Sequence, residues 1–367
     1  MLNFIPVSEP SITRKEIDYV ADAMKSGWVS SLGKYINEFE KGFSEFTGTR
    51  YALTVSNGTA ALHLALAALG IHAGDEVIVP DLTFIATANA VTYTGARPVA
   101  VDVETDTWCM DPDCFRKAIT KKTRAVIPVH LYGHPVMMDE VMEIAGDHGL
   151  SVIEDCAEAH GAKYKNRRVG SIGNVGVFSF YGNKIMTTGE GGMLTTDDEK
   201  VYERARYLRD HAMSVEKRYW HTEVGFNYRM TNIQAAMGLA QLERIEELIE
   251  KKRRIFGWYR SSLKDVEGVV LNPQMPWAEN VYWMICLLLK DGSSSERDSL
   301  MAGLRSQGID SRPFFYPVSS MPMYATCDNQ LAQIVAERGL NLPSSVNLSE
   351  KGVKLICAKI QTILKCI

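Results

Sequence analysis

No CxxC pair occurs in this chain, and its seven cysteines, at 109, 114, 156, 286, 327, 357 and 366, follow no zinc-ligand spacing. Such an odd, scattered set offers neither a disulfide framework nor a metal site, and it reads as reduced thiols in a cytoplasmic protein. No apolar run approaches the roughly 18 residues that span a bilayer. The opening MLNFIPVSEPSITRKEIDYV reaches charges before a signal-like apolar core can form. Basic residues form no long run and the formal net charge is −4, so the charge suggests neither nucleic acid nor membrane as a partner. A GxGxxG turn after a strand is missing, which weighs against a nicotinamide-binding enzyme, and so is the GxxxxGK[ST] of a phosphate loop. Internal repeats, low-complexity tracts and Pro/Gly/Ser linkers are absent as well.

What is present is an alternation of apolar runs. The 367 residues, 46% hydrophobic and 23% charged, suffice for one large α/β domain and a smaller one. An opening helix is expected over 11–27, with Ser11 as its N-cap and Gly27 as its stop. Strand-like runs follow at 50–56, 75–81, 97–103, 124–133, 150–157 and 175–182, with helical runs such as 58–70 and 83–95 among them. Several strands are continuous Val/Ile-rich stretches, the pattern of a mostly parallel sheet buried on both faces. A doubly wound α/β domain over 1–240 and a smaller α+β domain over 241–367 are the expected organisation. A long helix is expected at about 231–262, opened by a Thr231/Gln234 capping box.

Three polar signals fall at the carboxyl ends of strands, where open parallel sheets collect ligands. In SNGTAALH, Asn57, Gly58 and Thr59 mark a strand-to-helix turn that could face an anion; an ordinary N-cap explains the turn equally well. In VIEDCAEAHG, Asp155 ends a buried strand and needs a partner, although a helix cap would also serve. In SFYGNKIMTTGEGGM, Ser179 precedes Lys184 and a glycine-rich loop. A lone loop lysine is usually solvated. Anion turn, strand-end acid and strand-end amine, in that order, match pyridoxal 5'-phosphate, which needs a phosphate cradle, an acid for its ring nitrogen and an amine for its aldehyde.

SFYGNKIMTTGEGGM, SNGTAALHLAL, GDEVIVPDLTFIATANAV, VIEDCAEAHGAKYKNRRVGSIGNVGVFSF and GFNYRMTNIQAAMGLAQLER resemble the DegT/DnrJ family of nucleotide-sugar aminotransferases, from about residue 5 to the C-terminus. The resemblance implies the pyridoxal-phosphate transferase fold of type I and a homodimer with shared active sites. Residue by residue, it implies Lys184 as the Schiff-base lysine and proton shuttle. It implies Asp155 at the pyridine nitrogen, Phe84 over a ring face, and Gly58, Thr59 and Ser179 at the phosphate. Glu158 would lie near the ring hydroxyl, and Asn227 would reach the neighbouring subunit's cofactor. For Phe84 simple core packing, and for Arg229 a structural salt bridge in place of substrate contact, are equal alternatives. Within the family, SGWVSSLGKYINEFE, RYWHTEVGFNYRMTN, DSRPFFYPV, MPMY and GLNLPS are most similar to members that aminate C4 of GDP-4-keto-6-deoxymannose with glutamate. The same resemblance makes Arg312, Tyr316 and Ser319 candidates for the nucleotide or sugar. Two departures stand out: Ser319 where those members usually carry histidine, and Tyr181 where they usually carry phenylalanine. A dTDP- or UDP-linked keto sugar is the alternative substrate, and a non-catalytic regulator on the same fold the alternative class. Family dehydratases that remove the sugar 3-hydroxyl carry histidine at the position of Lys184.

Overall fold

The computed structural model of the protein describes residues 4–366. The ends of the expected division, residues 1–3 and 367, lie outside the described residues. The apolar runs assemble a seven-stranded sheet from β1 (Tyr51–Val55), β2 (Glu76–Pro80), β3 (Arg97–Val101), β4 (Thr123–Val126), β5 (Ser151–Asp155), β8 (Val175–Ser179) and β9 (Gly192–Thr196). The short strands β6 (Lys163–Tyr164) and β7 (Arg167–Arg168) form a hairpin between β5 and β8. Across the sheet the order is β1-β9-β8-β5-β4-β2-β3. β3, β2, β4, β5 and β8 pair in parallel, and β9 runs antiparallel between β1 and β8.

The period-2 alternation of strand side chains divides these runs between two cores. Val77, Val79, Ile153, Val175 and Val177 face Leu62, Leu66 and Leu208 on one side. Ile78, Val152 and Phe178 face Phe39, Phe43 and Val141 on the other. Both faces are apolar because both are covered, which is why the runs look continuous in sequence. Helix Gly58–Ala68 is buried almost all round, from Gly58 to Leu66 except Thr59, so it lacks an amphipathic stripe.

A second, antiparallel sheet orders Val269–Leu271, Ile285–Leu289, Gly339–Leu342 and Arg312–Pro313 side by side. Its core joins Ile285, Leu287, Leu340 and Leu342 to Tyr259, Leu300, Leu304 and Ile356 from helices Ile245–Leu263, Ser294–Ser306 and Glu350–Leu364. The start of the chain also reaches this unit: Ile5 N–H donates to Gly308 O at 2.8 Å, and Ser344 N–H donates to Val7 O at 2.7 Å.

Three expectations about elements are corrected. The opening helix runs Arg14–Lys25, and its N-cap is Thr13, in a reciprocal capping box with Glu16. Ser11 instead meets the side chain of Arg244, whose Nη2 donates to its Oγ at 3.1 Å. The expected helix at 231–262 is two helices, Asn232–Leu242 and Ile245–Leu263. Arg244 leaves helical geometry at φ −125 and turns its guanidinium onto buried Glu16 at 3.0 Å. The Thr231/Gln234 capping box forms as expected. The run at 124–133 pairs as a strand only over Thr123–Val126. It ends in a turn at Leu131–Gly133, where Tyr132 takes φ +52.

Candidate active site

The carboxyl ends of β1, β2, β5 and β8 open onto one cavity of about 610 Å³. Asn57 opens helix Gly58–Ala68 in extended geometry, and its Oδ1 accepts the Ala60 N–H at 2.8 Å. The N-cap reading is therefore correct, and it leaves the first N–H groups of the helix, at Gly58 and Thr59, free of the helical ladder and at the cavity. The approach is close enough to demand glycine. A Cβ on Gly58 would lie 2.8 Å from Ser179 Cβ, and one on Gly192 would lie 2.6 Å from the Asn57 carbonyl. These contacts bring the Ser179 hydroxyl beside the helix N-terminus, an arrangement suited to an anion.

Asp155 is buried at the end of β5. Its Oδ2 accepts the Thr87 hydroxyl at 2.9 Å and its Oδ1 accepts the Ala157 N–H at 3.1 Å. Burial raises its carboxyl above the ordinary range, and the two hydrogen bonds and Lys184 only partly oppose this. It is a carboxylate with neutral donors and room for a cation.

Lys184 follows a turn closed by its own N–H on Tyr181 O at 2.9 Å. Its Nζ is 3.8 Å from Glu158 Oε1 and 3.8 Å from the centroid of the Trp283 ring. Burial lowers the amine below its ordinary value, while Glu158 and Asp155 pull it back up. Glu158 is pushed up to about 7 by burial, with Lys184 opposing; its Oε2 accepts the Tyr132 N–H at 2.7 Å. Burial thus draws both groups toward their neutral forms while each holds the other's charge, an arrangement suited to acid–base chemistry. Phe84 is half-exposed at the rim, its ring 5.5 Å from that of Phe315, which overturns the core-packing alternative for this residue.

The remaining candidates lie elsewhere. Asn227 and Arg229 are outside the cavity lining. Arg229 Nη1 donates to Asp210 Oδ1 at 2.6 Å and its Nη2 to Asn227 Oδ1 at 3.0 Å, the structural salt bridge of the two alternatives. Between them, Tyr228 does reach the cavity; its carbonyl accepts the Ser56 N–H at 2.7 Å and its hydroxyl meets His63 Nδ1 at 2.9 Å. Arg312 and Tyr316 are exposed and outside the lining, with Asp310 at 3.5 Å from the Arg312 guanidinium.

Ser319 is a correction. Its side chain is buried away from the cavity, donating from Oγ to Asp81 Oδ2 at 2.6 Å and from N–H to Asp81 Oδ1 at 2.7 Å. Asp81 is fully buried just past β2 and must find donors; Asn329 Nδ2 supplies another at 3.0 Å. Ser319→Ala should therefore lower stability by about 1–3 kcal/mol, the cost of leaving a buried acceptor underfilled, with kcat/KM close to wild type. Ser319→His should not raise turnover, because the position faces Asp81. Thermal melts and steady-state kinetics check both, and a faster Ser319→His enzyme would return this position to the substrate site.

Residues that the sequence did not single out complete the cavity: Thr87 on Asp155, Asn183, and above all Trp283. Thr83 and Thr87, four apart in an apolar helical run, were the visible signal for the first. A tryptophan just before an apolar strand was the sole signal for the last.

Residues and group fit each other. Among the described residues the buried acid has no salt-bridge partner, a place that a pyridinium N–H would fill. The buried amine is displaced toward its neutral, nucleophilic form, and the Gly58/Thr59/Ser179 cradle suits a phosphate. Fold and site define a pyridoxal-phosphate-dependent transferase of fold type I. Comparison with known proteins gives the family: the profile of the DegT/DnrJ/EryC1/StrS aminotransferase family matches residues 10–361, and the chain belongs to that family. GDP-perosamine synthases of Escherichia coli O157:H7 and Caulobacter vibrioides are each 46% identical to it, over 98% of this chain and 98% of each relative. Among solved structures, S. venezuelae DesV in complex with a ketimine intermediate is 34% identical, with TM-score 0.92 over 98% of both chains. A Streptococcus pneumoniae protein described as a sugar aminotransferase, in its PMP form, is 29% identical, with TM-score 0.94 over 99% of this chain and 98% of its own.

Proposed function

We propose that the protein transfers the amino group of glutamate to C4 of GDP-4-keto-6-deoxymannose, giving GDP-perosamine. The observation that carries the transferase chemistry is Lys184 set between Glu158 and Trp283 in the cavity that also exposes Asp155. The choice of sugar rests on the 46% identity, over nearly the whole length, to the GDP-perosamine synthases. Bound pyridoxal phosphate supplies an electron sink and carries the amino group from one substrate to the other. Gly58, Thr59 and Ser179 hold its phosphate, and Asp155 keeps a negative charge at its ring nitrogen. Lys184 Nζ takes a proton from the α-carbon of glutamate and later delivers one to C4 of the sugar. Burial favours the neutral amine that the first of these steps needs. Glu158 holds the ring hydroxyl side of the site. One site serves both substrates in turn, so ping-pong kinetics follow.

The reading includes a homodimer in which Asn227 of each subunit completes its neighbour's site. The position of Asn227 outside its own cavity supports this. It also includes a division into a cofactor-binding domain over 1–240 and a small domain beyond it. A cytoplasmic location fits the seven unpaired cysteines.

The test is amination by glutamate of GDP-4-keto-6-deoxymannose, dTDP-4-keto-6-deoxyglucose and a UDP-linked 4-keto sugar. The GDP substrate should lead in kcat/KM by at least about tenfold, the scale on which differential contacts discriminate. A higher value for the dTDP sugar would remove the perosamine assignment and leave the aminotransferase. A colourless protein inactive on all three would favour a regulator.

A further inference from the structure

Trp283 is buried, its indole N–H and its backbone both hydrogen-bonded. Its Nε1–H donates to Asn183 O at 2.8 Å, and its backbone N–H donates to Tyr132 O at 3.1 Å. Its carbonyl accepts from Nζ of buried Lys252 at 2.9 Å. The ring edge thus ties down the residue before Lys184, while the ring face meets the Lys184 Nζ at 3.8 Å from its centroid. The same Nζ also lies 3.8 Å from Glu158, itself held by the Tyr132 N–H at 2.7 Å. Tyr132 therefore orients both walls. Tryptophan offers the strongest π-face for a cation, and the attraction grows when water is excluded. A lysine side chain is flexible and is costly to confine, yet during half of each catalytic cycle this one must stay near the reacting atoms without a covalent tether.

From this geometry we infer that Trp283 and Glu158 form a docking cage for the side chain of Lys184 in the phase of the cycle when it is detached, making Trp283 a positioning residue contributed by the segment that leads into the second sheet. The inference rests on the proposed role of Lys184. The other charged group that acts on the amine is Asp155, of opposite sign, and His160, whose pKa burial and Lys184 together lower to about 3, stays neutral.

The experiment uses the holoenzyme held in its amine-bearing form by excess glutamate, where Lys184 is free. Trace acetylation with acetic anhydride across a pH series, read at the Lys184 peptide by mass spectrometry, gives the titration midpoint of that amine. Loss of the ring face in Trp283→Leu should lower the midpoint by about 0.4–1.5 pH units. Trp283→Phe, which keeps a face but loses the bond to Asn183, should shift it less. If the leucine variant does not retain cofactor, Trp283→Met replaces it in the same comparison. A midpoint unchanged or raised without the indole, or shifted equally by phenylalanine and the aliphatic residue, would overturn the cage. Failure of the underlying reading looks different: Lys184→Ala would then keep the covalently attached cofactor.

Discussion

Lys184→Ala should turn a yellow enzyme into one without the visible absorption of covalently attached cofactor, and turnover should fall at least about 10³-fold. Moving a proton with a positioned side chain is worth roughly 10²–10⁴, and in the proposed reading this amine also holds the aldehyde. Alanine removes the amine from a cavity in which Asp155 and Glu158 are the other ionisable groups closest to it by charge. Neither can replace it: Glu158 is committed to the Tyr132 N–H and Asp155 to Thr87 and Ala157. A variant that kept both the absorption band and full turnover would show that another group is the base. The same variant probes the shared site. Mixed with Asn227→Ala subunits, it should recover activity at one of the two sites of each mixed dimer, because Lys184 and Asn227 then come from different chains. Confirmed mixed dimers that stay inactive would place Asn227 outside the neighbour's site.

The parts of this site that were legible in sequence sit at strand ends. Asp155, Ser179 and the Asn57–Thr59 turn each follow a run whose β-character was plain, and open parallel sheets place such ends together. Contacts from remote positions stayed hidden. Trp283 reaches Asn183 across 100 residues, and its own stretch, VYWMICLLL, reads as nothing more than a buried strand. Ser319 turns from the cavity because Asp81, 238 positions earlier, is buried and in need of donors. The break between helices Asn232–Leu242 and Ile245–Leu263 has the same origin, for Arg244 answers Glu16 across 228 positions. Local pattern sets the elements, but long-range pairing of charged groups decides where they bend and which way a hydroxyl faces. The opening helix is the exception: its Thr13/Glu16 capping box is a local signal, and Ser11, expected as the N-cap, stands two residues before it.

Asp155→Asn should leave the fold nearly intact and slow both half-reactions together. The amide can keep the geometry: its oxygen can accept the Ala157 N–H, and its NH₂ can donate to Thr87 Oγ1 once that hydroxyl rotates to accept. What it cannot keep is the charge. Burial already works against the ionised carboxyl, and a cation beside it offsets that cost. Removing one partner of a buried pair costs about 3–5 kcal/mol, or roughly 10²- to 10⁴-fold in rate if the loss falls on the transition state. The loss would fall there because Asp155, in the proposed reading, holds the positive charge of the ring nitrogen through the step in which the cofactor serves as electron sink. Single-turnover rates should therefore drop in this range with glutamate and, separately, with the keto sugar, while the melting temperature moves little. A variant within a few-fold of wild type in both half-reactions would reduce Asp155 to a cap for the turn at Ala157 and leave the ring nitrogen without a partner in this chain.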